Sequence, residues 1–164
     1  MKQFVALYFL FLLILFVLFY APTSAISTFI NTSQTTVTLY LLDIFLEPEQ
    51  LKGIDIWINP HYKIIISKAC NGIVPILFLF ASILAYPAGW IHKIVWMGLG
   101  YILFVIVNVA RILLVVYVTQ TGQGHEDFYW SHDLVGNMLL MLTGLALFIG
   151  FIKTSESHVR NVEF

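Results

Sequence analysis

Two residues with reactive or charged side chains stand out in this apolar chain, the single cysteine Cys70 and Arg111 inside a hydrophobic run, and two histidines, His125 and His132, lie within reach of them in sequence order. A thiolate is a nucleophile, and a helix N-terminus favours it over the thiol through free N–H groups and the positive end of the dipole. Cys70 stands where a strand-like segment becomes an apolar helix, which suits that role. The competing reading is a small buried cysteine held for its volume. Arg111 sits about eight residues, or roughly 12 Å of helix rise, from the outer end of its run. A central arginine costs about 2.5–3.5 kcal/mol on insertion scales, so function is its default reading. Snorkelling to the outer surface, or a structural pairing, is the other. Asn108 precedes it by three residues, on the same helix face, and can orient the guanidinium. Taken alone, Asn108 reads as helix-packing glue.

The five histidines separate by position. His92, beside Lys93, and His158, in the tail, are expected in solvent, and His61 falls in an outer turn. Only the outer histidines meet Cys70 without crossing a bilayer. His132, at the entrance of the last helix, has a fixed approach, whereas His125 lies in a Gly-rich loop. His125-Glu126 opens like the zinc pattern His-Glu-x-x-His, but position 129 is tyrosine. A set from His125, Asp127, His132 and Asp133 is the remaining metal alternative; the reading adopted requires no metal and no cofactor. Ser131-His132-Asp133 carries the three names of a serine triad, yet neighbours on a helix point in different directions, so it is coincidence. Cys70, Arg111 and His132 together supply a nucleophile, a cationic stabiliser and an acid/base, which suffices for acyl transfer.

Those residues are positioned by membrane helices. The chain has 164 residues, 60% hydrophobic and 10% charged, with a mean hydropathy of +0.90. Soluble domains carry about 25% charge, so a water-soluble globule and a disordered chain are both excluded. Eight Lys plus Arg against nine Asp plus Glu leave no basic footprint for nucleic acid. One cysteine forbids an intrachain disulfide. The reading is a single membrane domain over residues 1–164, all-α and polytopic, with four transmembrane helices near 4–21, 73–90, 94–119 and 134–152. The first stretch is read as an uncleaved anchor; a signal peptide cut near Thr23-Ser24-Ala25 is its alternative. Lys2, Lys93, Lys153 and Arg160 fall on one side, which the positive-inside rule makes cytoplasmic. Residues 22–70 and 120–132 then face outward. Within 22–70, Asn31 to Gln34 is polar, and Val37 to Leu46 is an apolar run set along the membrane surface. Ile54, Ile56 and Ile58 alternate with Asp55, Trp57 and Asn59, the period-2 signature of a strand. Asn59-Pro60 is a turn, and Lys63 to Ser67 returns as the second strand of a β-hairpin that leads to Cys70.

Three segments, Ala69-Cys70-Asn71-Gly72, then Asn108-Val109-Ala110-Arg111-Ile112, then His132, resemble the exosortase/archaeosortase family of membrane transpeptidases in order and spacing. The match covers roughly residues 54–150, and Ala85-Tyr86-Pro87-Ala88 is similar to the compact exosortase H type. The resemblance implies Cys70 as nucleophile, Arg111 as its electrostatic partner and His132 as the third catalytic residue, with Asn108, Asn71 and Gly72 in support. It further implies a bacterial inner-membrane enzyme that cleaves C-terminal sorting signals of exported proteins. Such a signal has a short motif, of the Ile-Pro-Thr-Leu type for this branch, a transmembrane helix and a basic tail. The acyl group passes to an amine or to water. The alternative from another class is a non-catalytic membrane assembly or transport subunit in which Arg111 and Asn108 tie helices together.

The orientation predicts that a cysteine placed at position 61, in a Cys70→Ala background, reacts with a membrane-impermeant thiol reagent added outside intact cells. Labelling only after lysis would put Cys70 on the wrong side for an exported substrate.

Overall fold

The structure, a computed structural model, describes residues 2–21, 24–66, 68–121 and 135–160. Long apolar runs form its long helices: α1 (Lys2–Phe19), α4 (Trp90–Thr121) and α5 (Asn137–Arg160), the last apolar enough to cross a membrane over Asn137–Ser155. Among the described residues, these three are the helices with both the length and the composition of membrane spans. The second predicted stretch forms α3 (Ile73–Ala85), 13 residues long. At 1.5 Å per residue it covers about 20 Å, short of the roughly 30 Å hydrocarbon core. Pro87 explains the early stop, because the residue before a proline is pushed out of the helical region. Tyr86 is accordingly extended, with φ −75° and ψ 138°. The third stretch starts earlier than expected, at Trp90, so His92 and Lys93 are helical.

His92 departs from the solvated placement read from sequence, and Lys93 beside it is buried. The Lys93 ammonium donates to the Leu84 carbonyl at 2.8 Å, satisfying an open carbonyl at the end of α3. The His92 ring stacks on Phe151, with centroids 5.0 Å apart, and its Nε2 lies 3.3 Å from the Phe151 carbonyl.

The segment between α1 and Cys70 is more helical than its polarity suggests. A single 21-residue helix, α2 (Ala25–Phe45), runs through both the polar Asn31–Gln34 stretch and the apolar run after it. Ser24 caps it, its hydroxyl accepting from the Ser27 N–H at 3.2 Å. Its polarity is inverted. Ser27, Asn31, Gln34 and Thr38 are buried, while Phe29, Tyr40, Ile44 and Phe45 are exposed. Hydrogen bonds then carry the packing: the Asn31 amide donates to the Phe19 carbonyl at the end of α1.

A meander of three antiparallel strands follows, β1 (Leu51–Lys52), β2 (Asp55–Asn59) and β3 (Tyr62–Ile65), one strand more than the predicted hairpin. Ile56 pairs with Ile64 and Trp57 with Lys63, with an irregularity between Trp57 and Asn59. Ile54 lies in the β1–β2 turn and is exposed, so the inward face is carried by Ile56, Ile64 and Ile66.

α4 is about 48 Å long and joins two layers. Its first half packs through Phe104 with Ile76, Leu79 and Ile83 of α3 and with Leu140 and Phe151 of α5. α1 closes this bundle by packing Leu15 on Ile73, Leu77 and Ala81. Its second half, through Val109, Ile112, Val115 and Val116, meets Leu42 of α2 and the sheet isoleucines. Cys70 belongs to this second core, at the junction of the layers.

Ile56, fully buried, anchors the sheet to α4. Ile56→Ala should cost about 2–5 kcal/mol, while Ile54→Ala in the exposed turn should stay within about 0.5 kcal/mol. Thermal unfolding of the two purified variants measures the difference.

Candidate active site at the junction of the two layers

The chain leaves the sheet through a 3-10 turn, Lys68–Asn71, and enters α3 at Gly72. Gly72 has φ +68°, in the left-handed region that glycine enters without a Cβ penalty. It also lies close against α4: a Cβ there would lie 3.1 Å from Asn108 Cγ and 3.2 Å from its Oδ1. This contact places Asn108 against the turn, and its Nδ2 donates to the Cys70 carbonyl at 2.9 Å. The nucleophile candidate is thus held by its main chain, and the residue is 7% exposed.

One helical turn further along α4, Arg111 is 2% exposed. Its Nη1 donates to Asn108 Oδ1 and its Nη2 to Asn137 Oδ1 of α5, each at 3.4 Å, the long end of such contacts. The guanidinium is turned inward, which disposes of the snorkelling reading. The i, i+3 pairing with Asn108 is the one expected from sequence. Asn137 was not singled out, and nothing in its setting within an apolar run distinguishes it. Gly136, beside it, makes the room: a Cβ there would overlap Arg111 Nε and lie 3.0 Å from Cγ and Cδ.

Asn71 is fully buried and faces α2. Its Nδ2 donates to the Thr35 hydroxyl at 2.8 Å and to the Asn31 carbonyl at 3.2 Å, and its own carbonyl accepts from Gln34 Nε2 at 3.3 Å. Tyr101 of α4 donates its hydroxyl proton to Gln34 Oε1 at 2.5 Å. The signal for these α2 residues was the spacing of Ser27, Asn31, Gln34 and Thr38, a helical stripe of polar side chains in an uncharged stretch.

The structure therefore brings together Cys70, Asn71, Gly72, Asn108 and Arg111. His132, with His125, Ser131 and Asp133, lies outside the described residues. His61 stays in the exposed turn, where its N–H donates to Asn59 Oδ1 at 2.9 Å. Among the described residues no group of His, Cys, Asp and Glu is placed to hold a metal ion.

Beside this cluster a cleft of about 710 Å³ opens between α3 and α5. Gly72 and Arg111 line one end, with Asn137. Phe78, Met141, Leu145 and Phe148 line its apolar flanks, and Ser82 and Gly144 keep it wide. A chain with a polar group at one end and an apolar segment beyond it matches that distribution.

Gly72→Ala places a Cβ on a left-handed residue and against Asn108, and should destabilise by about 1–3 kcal/mol. Gly98→Ala, mid-helix in α4 where an added Cβ meets nothing within 4 Å, should be neutral or stabilising by up to about 1 kcal/mol. Denaturant titration of both variants tests the contrast.

A model of the family described as Transmembrane exosortase (Exosortase_EpsH) matches residues 1–150. No curated protein and no solved structure matches the chain. The match covers nearly the whole chain, including the bundle, the sheet and the Cys70–Asn108–Arg111 cluster, and the protein belongs to the transmembrane exosortase family.

Proposed function

We propose that the protein is a cysteine transpeptidase that cleaves C-terminal sorting signals of exported proteins at the outer face of the cytoplasmic membrane. Family membership implies processing of sorting-signal substrates. The observation that carries the mechanism is the relay from Arg111 through Asn108 to the Cys70 carbonyl, at the mouth of the α3–α5 cleft.

In this reading the apolar segment of the sorting signal occupies the cleft and its scissile peptide lies at the Gly72–Arg111 end. The Cys70 thiolate attacks the carbonyl carbon, and the carbon–sulfur bond forms as the carbonyl electrons move onto oxygen. Arg111, whose guanidinium offers several donors in one plane, stabilises that oxyanion. The oxyanion collapses, the C–N bond breaks, and the leaving amine takes a proton from His132, the family's third residue. The thioester is then attacked by an amine or by water, activated by return of a proton to His132, and the thiolate leaves. Asn108 holds the nucleophile's main chain and Arg111 in one frame, so the stabiliser and the nucleophile keep their relative geometry.

Cys70→Ala and Cys70→Ser should abolish processing of a purified exported protein carrying such a signal, followed by intact mass, while insertion and yield stay unchanged. Normal processing by either variant overturns the cysteine mechanism.

Arg111→Lys separates catalysis from packing. Lysine keeps the charge and loses the planar fork, so processing should fall by about 10²–10³, the usual effect of one lost oxyanion donor. Full activity in a well-folded Arg111→Lys protein would leave Arg111 as helix glue and favour an assembly subunit.

A further inference from the structure

We infer that α2 is the positioning element of the site: Thr35, with Gln34 and Tyr101 behind it, fixes the Asn71 peptide and so the direction of the Cys70 thiol. This rests on the cysteine reading above. The two carbonyls at the end of the 3-10 turn are held from opposite sides. Asn108 of α4 donates to that of Cys70 at 2.9 Å, and Gln34 of α2 donates to that of Asn71 at 3.3 Å. Between them the Asn71 side chain is fully buried and bonded to α2 alone in the contacts given above.

Thr35 is the centre of this clamp. Its oxygen accepts from Asn71 Nδ2 at 2.8 Å, which leaves its single proton for the Asn31 carbonyl at 2.8 Å or for Asn71 Oδ1 at 3.1 Å. Either choice ties Asn71 to the α2 backbone. Gln34 is oriented in turn, because the Tyr101 hydroxyl proton occupies its Oε1 and presents Nε2 to the Asn71 carbonyl. α2 has no charged residue before Asp43, and Asn31, Gln34 and Thr35 on its inward side all bond to Asn71. The turn needs them. A 3-10 segment followed by a left-handed glycine has weak intrinsic preference for one geometry. A displacement near 1 Å at a reacting atom costs about 10²-fold in rate.

The clamp acts through Asn71 and touches no substrate, so its removal should lower kcat without raising KM. Thr35→Val keeps the volume and deletes the hydroxyl. On the sorting-signal substrate it should lower kcat at least tenfold per folded enzyme, with KM within twofold. Thr35→Ser, which restores the hydroxyl, should return kcat to within about threefold of the parent. A packing role predicts the opposite pattern: less folded protein, with kcat per folded molecule unchanged and serine no better than valine. Tyr101→Phe, which frees Gln34 at the protein's outer wall, should lower kcat severalfold at constant KM, and it decides the matter where Thr35→Val does not fold. Parental kcat in the folded variants overturns the clamp. Cys70→Ala, run alongside, keeps the two claims apart: if it still processes substrate, the nucleophile assignment fails, and if it is inactive while Thr35→Val is fully active, the clamp alone fails.

Discussion

A charged guanidinium enclosed in an apolar bundle is the constraint around which the rest is arranged. A guanidinium at such depth is tolerated only where acceptors meet its donors, since an unpaired buried charge costs several kcal/mol. Asn108 and Asn137 supply amide oxygens from α4 and α5. Gly136 supplies space by having no side chain. The other end of the Asn108 amide then reaches the Cys70 carbonyl. One solvation problem thereby fixes a span, the start of another span and the turn that bears the thiol.

α4 gives this cluster its place. The helix is longer than a bilayer is thick, and Asn108 and Arg111 sit where its packing against α3 and α5 gives way to packing against the sheet and Leu42 of α2. The α3–α5 cleft runs from the same point along the bundle. In the proposed reading, an apolar segment of the substrate lies in the cleft while the polar peptide ahead of it meets the cluster, so a membrane-anchored substrate would need no extraction from lipid to react.

The legible parts of the fold were those with one dominant signal. Long apolar runs marked α1, α4 and α5, and the alternation at Ile56 and Ile58 marked β2. Pro87 ended α3 early because apolar composition continues past Tyr86 while the backbone cannot. β1 is two residues long and has no period to read. α2 was hidden because Asn31 and Gln34 interrupt its apolar pattern, a pattern that assumes polar residues face outward. In the site, the Asn108–Arg111 spacing was plain from helical geometry. The bond from Asn108 to the Cys70 carbonyl was not, because a main-chain acceptor has no identity in sequence.

The inverted polarity of α2 bears on the order in which the molecule is built. During synthesis α2 emerges before Asn71 and Tyr101 exist, so its buried stripe has no partners within the nascent chain beyond α1. Asn31 can already reach the Phe19 carbonyl of α1, but until α3 and α4 follow, Gln34 and Thr35 must satisfy their hydrogen bonds with water or with their own backbone, as Thr35 does with the Asn31 carbonyl. The bonds from Gln34 and Thr35 to Asn71 therefore form only once α3 has been made, and with them the turn that bears Cys70 is closed. Under the proposed cysteine mechanism, completion of the fold and assembly of the reactive geometry are then the same event.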